Sequence, residues 1–527
     1  MYKASLRLWI SDTKRKSIII IIIPLILSSF IHLWNPIGFP FIHGDEGHYI
    51  RRALILLDGG PPQENNRYDH PFFGQFLLAG IFWIVDYPGS VISSEYVDTK
   101  TIGDLFLIPR LIVGVFAVID TFLIFKIAER RYNKQAGFFA SILFAVMPST
   151  FFLRYVLLES LQLPFILLSI LLAVYYSKKS DEKSSNIGYR KRILVTLLSG
   201  ISLGLAIFTK IPALTMIPLV GYYIFKNNNR GIKYLGLWFS PVIVIPLLWP
   251  GYAIMAGAFE DWQQGVLWQS GREGTGLFTI ALFIEFDPVL MILGFAGIAY
   301  STVIRKDAFP LLWFVPMLVF FEASGFVRSF HIVPLLPIFC ISAGIMLVDL
   351  SNRIPAENLK SKKLSKIIAI SAIGVFGLVS TTVLVTTNLN SSFFDLYAFI
   401  TQVLKNSVER ESGRVTVIGN NWAISSFEWI PNYVYKMEHE FKTFYSRQQV
   451  QTERALLIID TRFGDFLSRN FNSEDTNLQS MSQVKDINSK SKTIKIFNEK
   501  DRGFDKYPYV NLPDNRGIRH VEVKSNY

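Results

Sequence analysis

One cysteine, Cys340, in 527 residues excludes an internal disulfide, and its place inside an apolar run carries no information on redox compartment. Charge is also scarce. Asp, Glu, Lys and Arg make up 18% of the chain, against about 25% in soluble domains. No internal repeat is visible, which weighs against a secondary transporter built from duplicated halves. These shortages exclude a disordered, collagenous or disulfide-stapled chain and a wholly soluble enzyme. What the sequence does have is apolar residues: half the chain is hydrophobic and mean hydropathy is +0.33. Long apolar runs such as Ile18–Trp34 alternate with short polar loops to about residue 388, and the remainder reads as ordinary soluble protein.

The basic excess, 53 Lys and Arg over 41 Asp and Glu for a net +12, is distributed in a way that argues against a nucleic-acid partner. It gathers in Lys14–Lys16, Glu129–Lys134, Ser177–Arg192, Lys226–Lys233, Arg305–Asp307 and Arg353–Lys366. Short basic loops between apolar runs are the mark of the cytoplasmic side of a membrane protein. A span needs about 20 residues, with about 17 as the lower end. About eleven candidates follow: 18–36, 105–127, 137–152, 161–176, 193–209, 211–226, 234–252, 288–304, 309–326, 331–349 and 367–387. The first follows basic residues like a signal peptide but lacks a small-residue cleavage pattern, so it reads as an uncleaved anchor.

With a cytoplasmic N-terminus every basic loop falls inside. Loop 37–104 and the tail then fall outside. Counting Phe72–Val85 as a span would invert this, so that segment and Leu277–Phe286 are expected to lie in the outer interface. The second ends at Asp287-Pro288, a helix start signal. The expected fold is therefore mainly α: a polytopic transmembrane helix bundle over 1–388, with a small extracytoplasmic α/β domain over 389–527. Val415–Gly419, Ala455–Asp460 and Thr493–Phe497 are the β-like runs of that domain.

Candidate chemistry gathers on the outer side. Asp45 and Glu46 precede Ile50, Leu54 and Leu57 at helical spacing, which puts the pair at a helix N-terminus, where the dipole favours ionised carboxylates. Such a group is suited to taking a proton from a hydroxyl; the alternative is a solvated cap. Tyr68, Asp69 and His70 follow in the same loop. Arg154 and Glu159 flank another outer turn, as site residues or as a loop ion pair. Lys210 closes an apolar run on the outer side, against the positive-inside trend; it either meets an anion or snorkels to headgroups. Arg328 and His331 occupy a third turn, with Glu322 one helical turn inside as an alternative partner for Arg328. The ionisable residues gather at span ends, whereas a transporter, the main rival reading, predicts them at mid-membrane depth; a lipid-linked glycan flippase using the same lipid-phosphate chemistry is the second rival.

The Asp45-Glu46 pair after the first span, Tyr68-Asp69-His70-Pro71, Pro109-Arg110-Leu111, Arg154 with Glu159, and Gly204-x-x-x-x-Thr209-Lys210 resemble the GT-C membrane glycosyltransferases over about residues 15–345. The likeness is to the protein O-mannosyltransferase and aminoarabinose–lipid A transferase branch. The resemblance implies a polyprenyl-phosphate sugar donor, a protein, lipid or glycan acceptor, Asp45 as catalytic base and Glu46 as its support. It also makes Lys210 and Arg328 candidates to hold the lipid phosphate. His70-Pro71-Phe72-Phe73 stands where the family usually has His-Pro-Pro-Leu, and Glu159 where it often has Asp. A leaving phosphate needs cations and the acceptor hydroxyl needs a base. That chemistry requires no cofactor, although His43, Asp45, Glu46 and His48 lie close enough in sequence to hold a divalent cation.

Overall fold

The long apolar runs become helices that pack side by side. The computed structural model describes residues 12–64, 67–92, 96–175, 189–228, 231–271, 281, 284, 287–325, 327–353, 374–409, 414–444, 453–468, 478–498 and 520–527. Its first helices are α1 (Asp12–Leu33), α2 (Gly44–Leu57), α3 (Phe73–Ile84), α4 (Thr99–Arg131), α5 (Lys134–Val146), α6 (Leu158–Val174) and α7 (Tyr189–Thr209). There follow α8 (Ile217–Asn227), α9 (Ile232–Val244), α10 (Leu248–Met255), α11 (Phe259–Ser270), α12 (Pro288–Val303), α13 (Phe309–Ser324) and α14 (Leu336–Arg353). Short 3-10 segments, Pro148–Arg154, Ile211–Met216 and Ser329–Leu335, join several of them.

Polar residues cap the starts of several helices. Asp98 accepts Thr101 N–H at 2.7 Å and Asn133 accepts Ala136 N–H at 2.8 Å. Asp287 caps α12 as its sequence predicts, and its second oxygen also accepts from Ser149 N–H and Oγ, tying α12 to the 3-10 turn before α6. Small residues set the closest helix approach: a Cβ on Gly204 would lie 2.5 Å from Pro241 O, so α7 meets the backbone of α9 directly.

Among the described residues four helical stretches are long and apolar enough to cross a membrane: Thr99–Arg131, Arg190–Thr209, Ile232–Met255 and Ser329–Arg353. A fifth arises if Lys134–Val146 and Pro148–Arg154, bent by 69°, form one span. Shorter apolar helices fill other expected positions. The stretch left out of the span count is α3, whose 12 residues extend about 18 Å at 1.5 Å each, short of a ~30 Å hydrocarbon core. Leu277–Phe286 lies almost wholly outside the described residues.

The rule that ionisable groups sit at span ends has an exception. Asp120, midway along α4, is fully buried, with no hydrogen-bond partner on either carboxylate oxygen.

The tail holds α15 (Ser391–Glu409), α16 (Asn421–Phe427), α17 (Thr461–Ser468) and α18 (Leu478–Lys490) around a five-stranded sheet. Its strands are β1 (Thr416–Gly419), β2 (Glu440–Thr443), β3 (Ala455–Ile459), β4 (Lys492–Asn498) and β5 (His520–Ser525), in the order β2-β1-β3-β5-β4. β1 runs parallel to β2 and β3, and β5 is antiparallel to β3 and β4. The three strands expected from sequence are β1, β3 and β4. β2 (Glu440–Thr443) and β5 (His520–Ser525) have no continuous apolar run, and pairing makes them strands.

Packing does not break at residue 388. One apolar cluster runs from Tyr49 and Ile50 of α2 through Phe106 of α4 and Leu158 of α6 to Tyr397, Phe427 and Trp429 of the tail. Polar ties cross the same line: Asn390 Nδ2 donates to Ile37 O (2.7 Å) and Pro40 O (2.8 Å), and its Oδ1 accepts Ile42 N–H at 3.1 Å.

Candidate active site

The candidate site is built on the segment that leaves α1 and enters α2. His43 is the N-cap of α2: its Nδ1 accepts Asp45 N–H at 3.2 Å, while Glu46 Oε1 accepts His43 N–H at 2.9 Å. The two form a reciprocal cap. Asp45 is therefore fixed by backbone yet keeps 49% of its side chain exposed, 3.8 Å from His43 Nδ1.

Glu46 has the opposite environment, fully buried. Its carboxylate accepts from Arg110 Nη2 (2.7 Å), Arg110 Nε (2.9 Å), Val156 N–H (3.2 Å) and His43 N–H. A carboxylate has about four acceptor positions, and all four are filled by protein. Arg110 Nη1 goes on to Pro36 O and Pro40 O, each at 2.8 Å. Arg110 was legible only as part of a motif; its role as the buried counter-charge needed the fold.

Arg154 and Glu159 do not pair as a loop ion pair. The Arg154 guanidinium is buried and donates to four backbone carbonyls: Ile31, Trp34 (2.7 Å), Asn35 (2.9 Å) and Phe39 (3.1 Å). These include the carbonyls that the end of α1 leaves open, where a cation is favoured. Glu159 instead meets Lys210, with Nζ 2.5 Å from Oε1, and His331 Nε2 lies 3.6 Å from the same oxygen. Lys210 is only 5% exposed, so it is not a headgroup snorkel. Glu159 Oε2 is buried without a hydrogen-bond partner.

The Phe330 ring lies 5.5 Å from the His43 ring and 5.5 Å from Lys210 Nζ. It joins the Asp45 corner to the Lys210–Glu159–His331 group. Arg328 is exposed at the start of the same 3-10 segment, where its backbone N–H donates to His331 Nδ1 at 3.1 Å.

Tyr68, Asp69 and His70 form the third side. Asp69 Oδ1 takes Arg52 Nη2 at 2.8 Å, and its Oδ2 lies 3.7 Å from His48 Nε2. Burial works to raise the Asp69 carboxyl, but His48 and the Arg52 charge hold it well below the usual carboxylate range. Burial, with Lys210 nearby, pushes His70 down to about 3, so it is neutral at working pH. Tyr68 is buried, and its carbonyl lies against Gly265 of α11. Tyr49, which sequence reasoning passed over, is raised well above the usual phenol value by burial and by the neighbouring Asp45, Glu159 and Asp69. Those shared electrostatic neighbours bring the three sides together. Among the described residues no three His, Cys, Asp or Glu side chains gather as a metal-holding group. Glu46 turns inward, with its carboxylate taken by Arg110, Val156 N–H and His43 N–H.

Residues 63–247 match the family described as dolichyl-phosphate-mannose-protein mannosyltransferase, about a third of the chain. No curated protein matches it. Among solved structures, ArnT from Cupriavidus metallidurans, bound to undecaprenyl phosphate, is similar at 14% identity and a TM-score of 0.55, covering 98% of this chain and 99% of that one. The oligosaccharyltransferase of Archaeoglobus fulgidus in complex with zinc and sulfate is similar at 11% identity and a TM-score of 0.54, covering 85% and 69%. Its apo form gives 13%, 0.51, 81% and 64%. The chain thus spans about two thirds of the length of the archaeal proteins. The fold is that of the GT-C membrane glycosyltransferases. The chain resembles the mannosyltransferase family over residues 63–247 and ArnT in fold.

Proposed function

We propose that this chain is an integral membrane glycosyltransferase that moves a sugar from a polyprenyl-phosphate donor to an acceptor on the outer face of the membrane. The observation that carries this is the pairing of one half-exposed, rigidly placed carboxylate with one buried cation across Phe330. Asp45 takes the proton of the acceptor hydroxyl as its oxygen bonds to the anomeric carbon. The bond from that carbon to the phosphate oxygen breaks, and the polyprenyl phosphate leaves as an anion. One carboxylate and one displacement give inversion. An ammonium has three N–H donors; Glu159 engages one of Lys210's, which leaves two for the phosphate, with Arg328 at the rim as a second cation. The donor class is supported by the family match over 63–247 and by the undecaprenyl phosphate held in ArnT.

The eleven-span count belongs to the same reading, and so does the placement of the tail outside the cytoplasm. A reporter active only in the cytoplasm, fused after Tyr527, should be silent. Strong activity would reverse the orientation and remove the site from the outer face.

The donor site has its own test. Lys210→Met should weaken binding of undecaprenyl phosphate by roughly 10- to 100-fold, the worth of a charge-assisted hydrogen bond of ~1.5–3 kcal/mol. That variant leaves Glu159 buried without its cation. Lys210→Met with Glu159→Gln removes both charges and should fold while binding the lipid phosphate as poorly. Wild-type affinity in the double variant would assign Lys210 to structure alone.

A further inference from the structure

Two arginines of α2 face the tail and the site, and neither is accounted for by the reaction above. Arg51 is 7% exposed. Its guanidinium pairs with Glu64 at 2.7 Å and with Glu428 of the tail. Glu64 is in turn held by Tyr433 Oη at 3.1 Å, also from the tail. The third contact of Arg51 is Nη2 to His48 Nδ1, at 3.1 Å.

α2 lies tight enough on the tail for this to be a fixed arrangement. A Cβ on Gly47 would fall 2.5 Å from Ser425 O, so any other residue there would push α16 away. Arg51 is one turn further along the same face of α2.

We propose that Arg51 is a positioning residue through which the tail sets the proton on His48, and through His48 the orientation of Asp69. A guanidinium donates and never accepts. The nitrogen of His48 facing it must therefore carry a lone pair, and the single proton of the neutral ring must sit on Nε2. Nε2 is the atom turned toward Asp69 Oδ2, 3.7 Å away. A doubly protonated ring would set N–H against N–H, so Arg51 also opposes a charged His48. The groups facing His48 are Tyr49, Arg51 and Arg52 on α2, and Asp69 in the loop. Glu64 and Glu428 stand behind Arg51. Burial, Arg52 and Arg51 lower the His48 value while Asp69 raises it, and the net shift is downward. The result is a neutral donor beside a fixed anion in the Tyr68-Asp69-His70 segment. The inference rests on the transferase reading only in making that segment part of the site.

The test does not use turnover. The full chain holds seven histidines, so 15N-histidine labelling in detergent gives a small set of ring signals, with His48→Gln identifying the one sought. Wild type should show one neutral tautomer at His48, with Nε2 protonated. Arg51→Met should release both tautomers and move the titration midpoint up. If that variant fails to fold, Arg51→Lys keeps a cation for Glu64 and Glu428 but loses the rigid fork, and should also lose the single tautomer. Glu428→Gln, which does not touch His48, should perturb the same signal. A His48 signal unchanged in the arginine variant overturns the role of Arg51. One unchanged in Glu428→Gln overturns the role of the tail. Neither outcome bears on whether Asp45 is the base.

Discussion

Asp45→Asn should lower turnover by roughly 10²-fold or more while binding of undecaprenyl phosphate persists. The amide keeps the size of the carboxylate and its place in the first turn of α2. It cannot take a proton at neutral pH. The cap itself should survive, because the groups that form it are the His43 ring, the Glu46 side chain and two backbone N–H groups. The measurement is single-turnover sugar transfer at saturating donor, with lipid-phosphate affinity measured separately. Added divalent cation that restores the variant would make Asp45 a metal ligand instead. Near wild-type turnover would reduce the residue to a solvated cap.

Glu46→Gln should fail for a different reason, and first in stability. All four acceptor positions of Glu46 are taken, and Arg110 is fully buried against it. Removing one partner of a buried ion pair leaves an uncompensated charge, at a cost of about 3–5 kcal/mol. The resemblance makes Glu46 a support for Asp45, and its burial against Arg110 makes it a structural anchor as well. The thermal midpoint of Glu46→Gln in detergent should fall well below that of Asp45→Asn. Replacing Glu46 and Arg110 together by Gln and Met should recover much of the loss, since the pair's burial cost goes with it. A Glu46→Gln protein as stable as wild type would show that Arg110 is satisfied by Pro36 O and Pro40 O alone.

The adjacent residues Asp45 and Glu46 show how far sequence reaches. Both are carboxylates at the start of an amphipathic helix, and nothing in their local pattern separates them. A helix turns about 100° per residue, so one faces the opening and the other faces α4. Which is which depends on the packing partner of α2. That partner includes the tail: Ser425 lies against Gly47, and Phe427 and Trp429 share the cluster that holds Tyr49. Arg154 and Lys210 make the same point. Both are cations near span ends, yet one closes the carbonyls of α1 and the other meets Glu159 across two helices.

The sequence by itself determined that this chain is a mainly helical, apolar protein with a polar loop after its first helix, where the acidic pair starts a helix. Those properties follow from residue type and spacing over a few turns, and apolar run length and dipole preference are local. Only the tertiary structure decided that Glu46 is a buried anchor, that Glu159 belongs to Lys210 and His331, and that Arg51 joins Glu428 to His48. Each of those depends on groups 50 to several hundred residues apart, and a charge's partner is set by which helices pack, not by its neighbours along the chain.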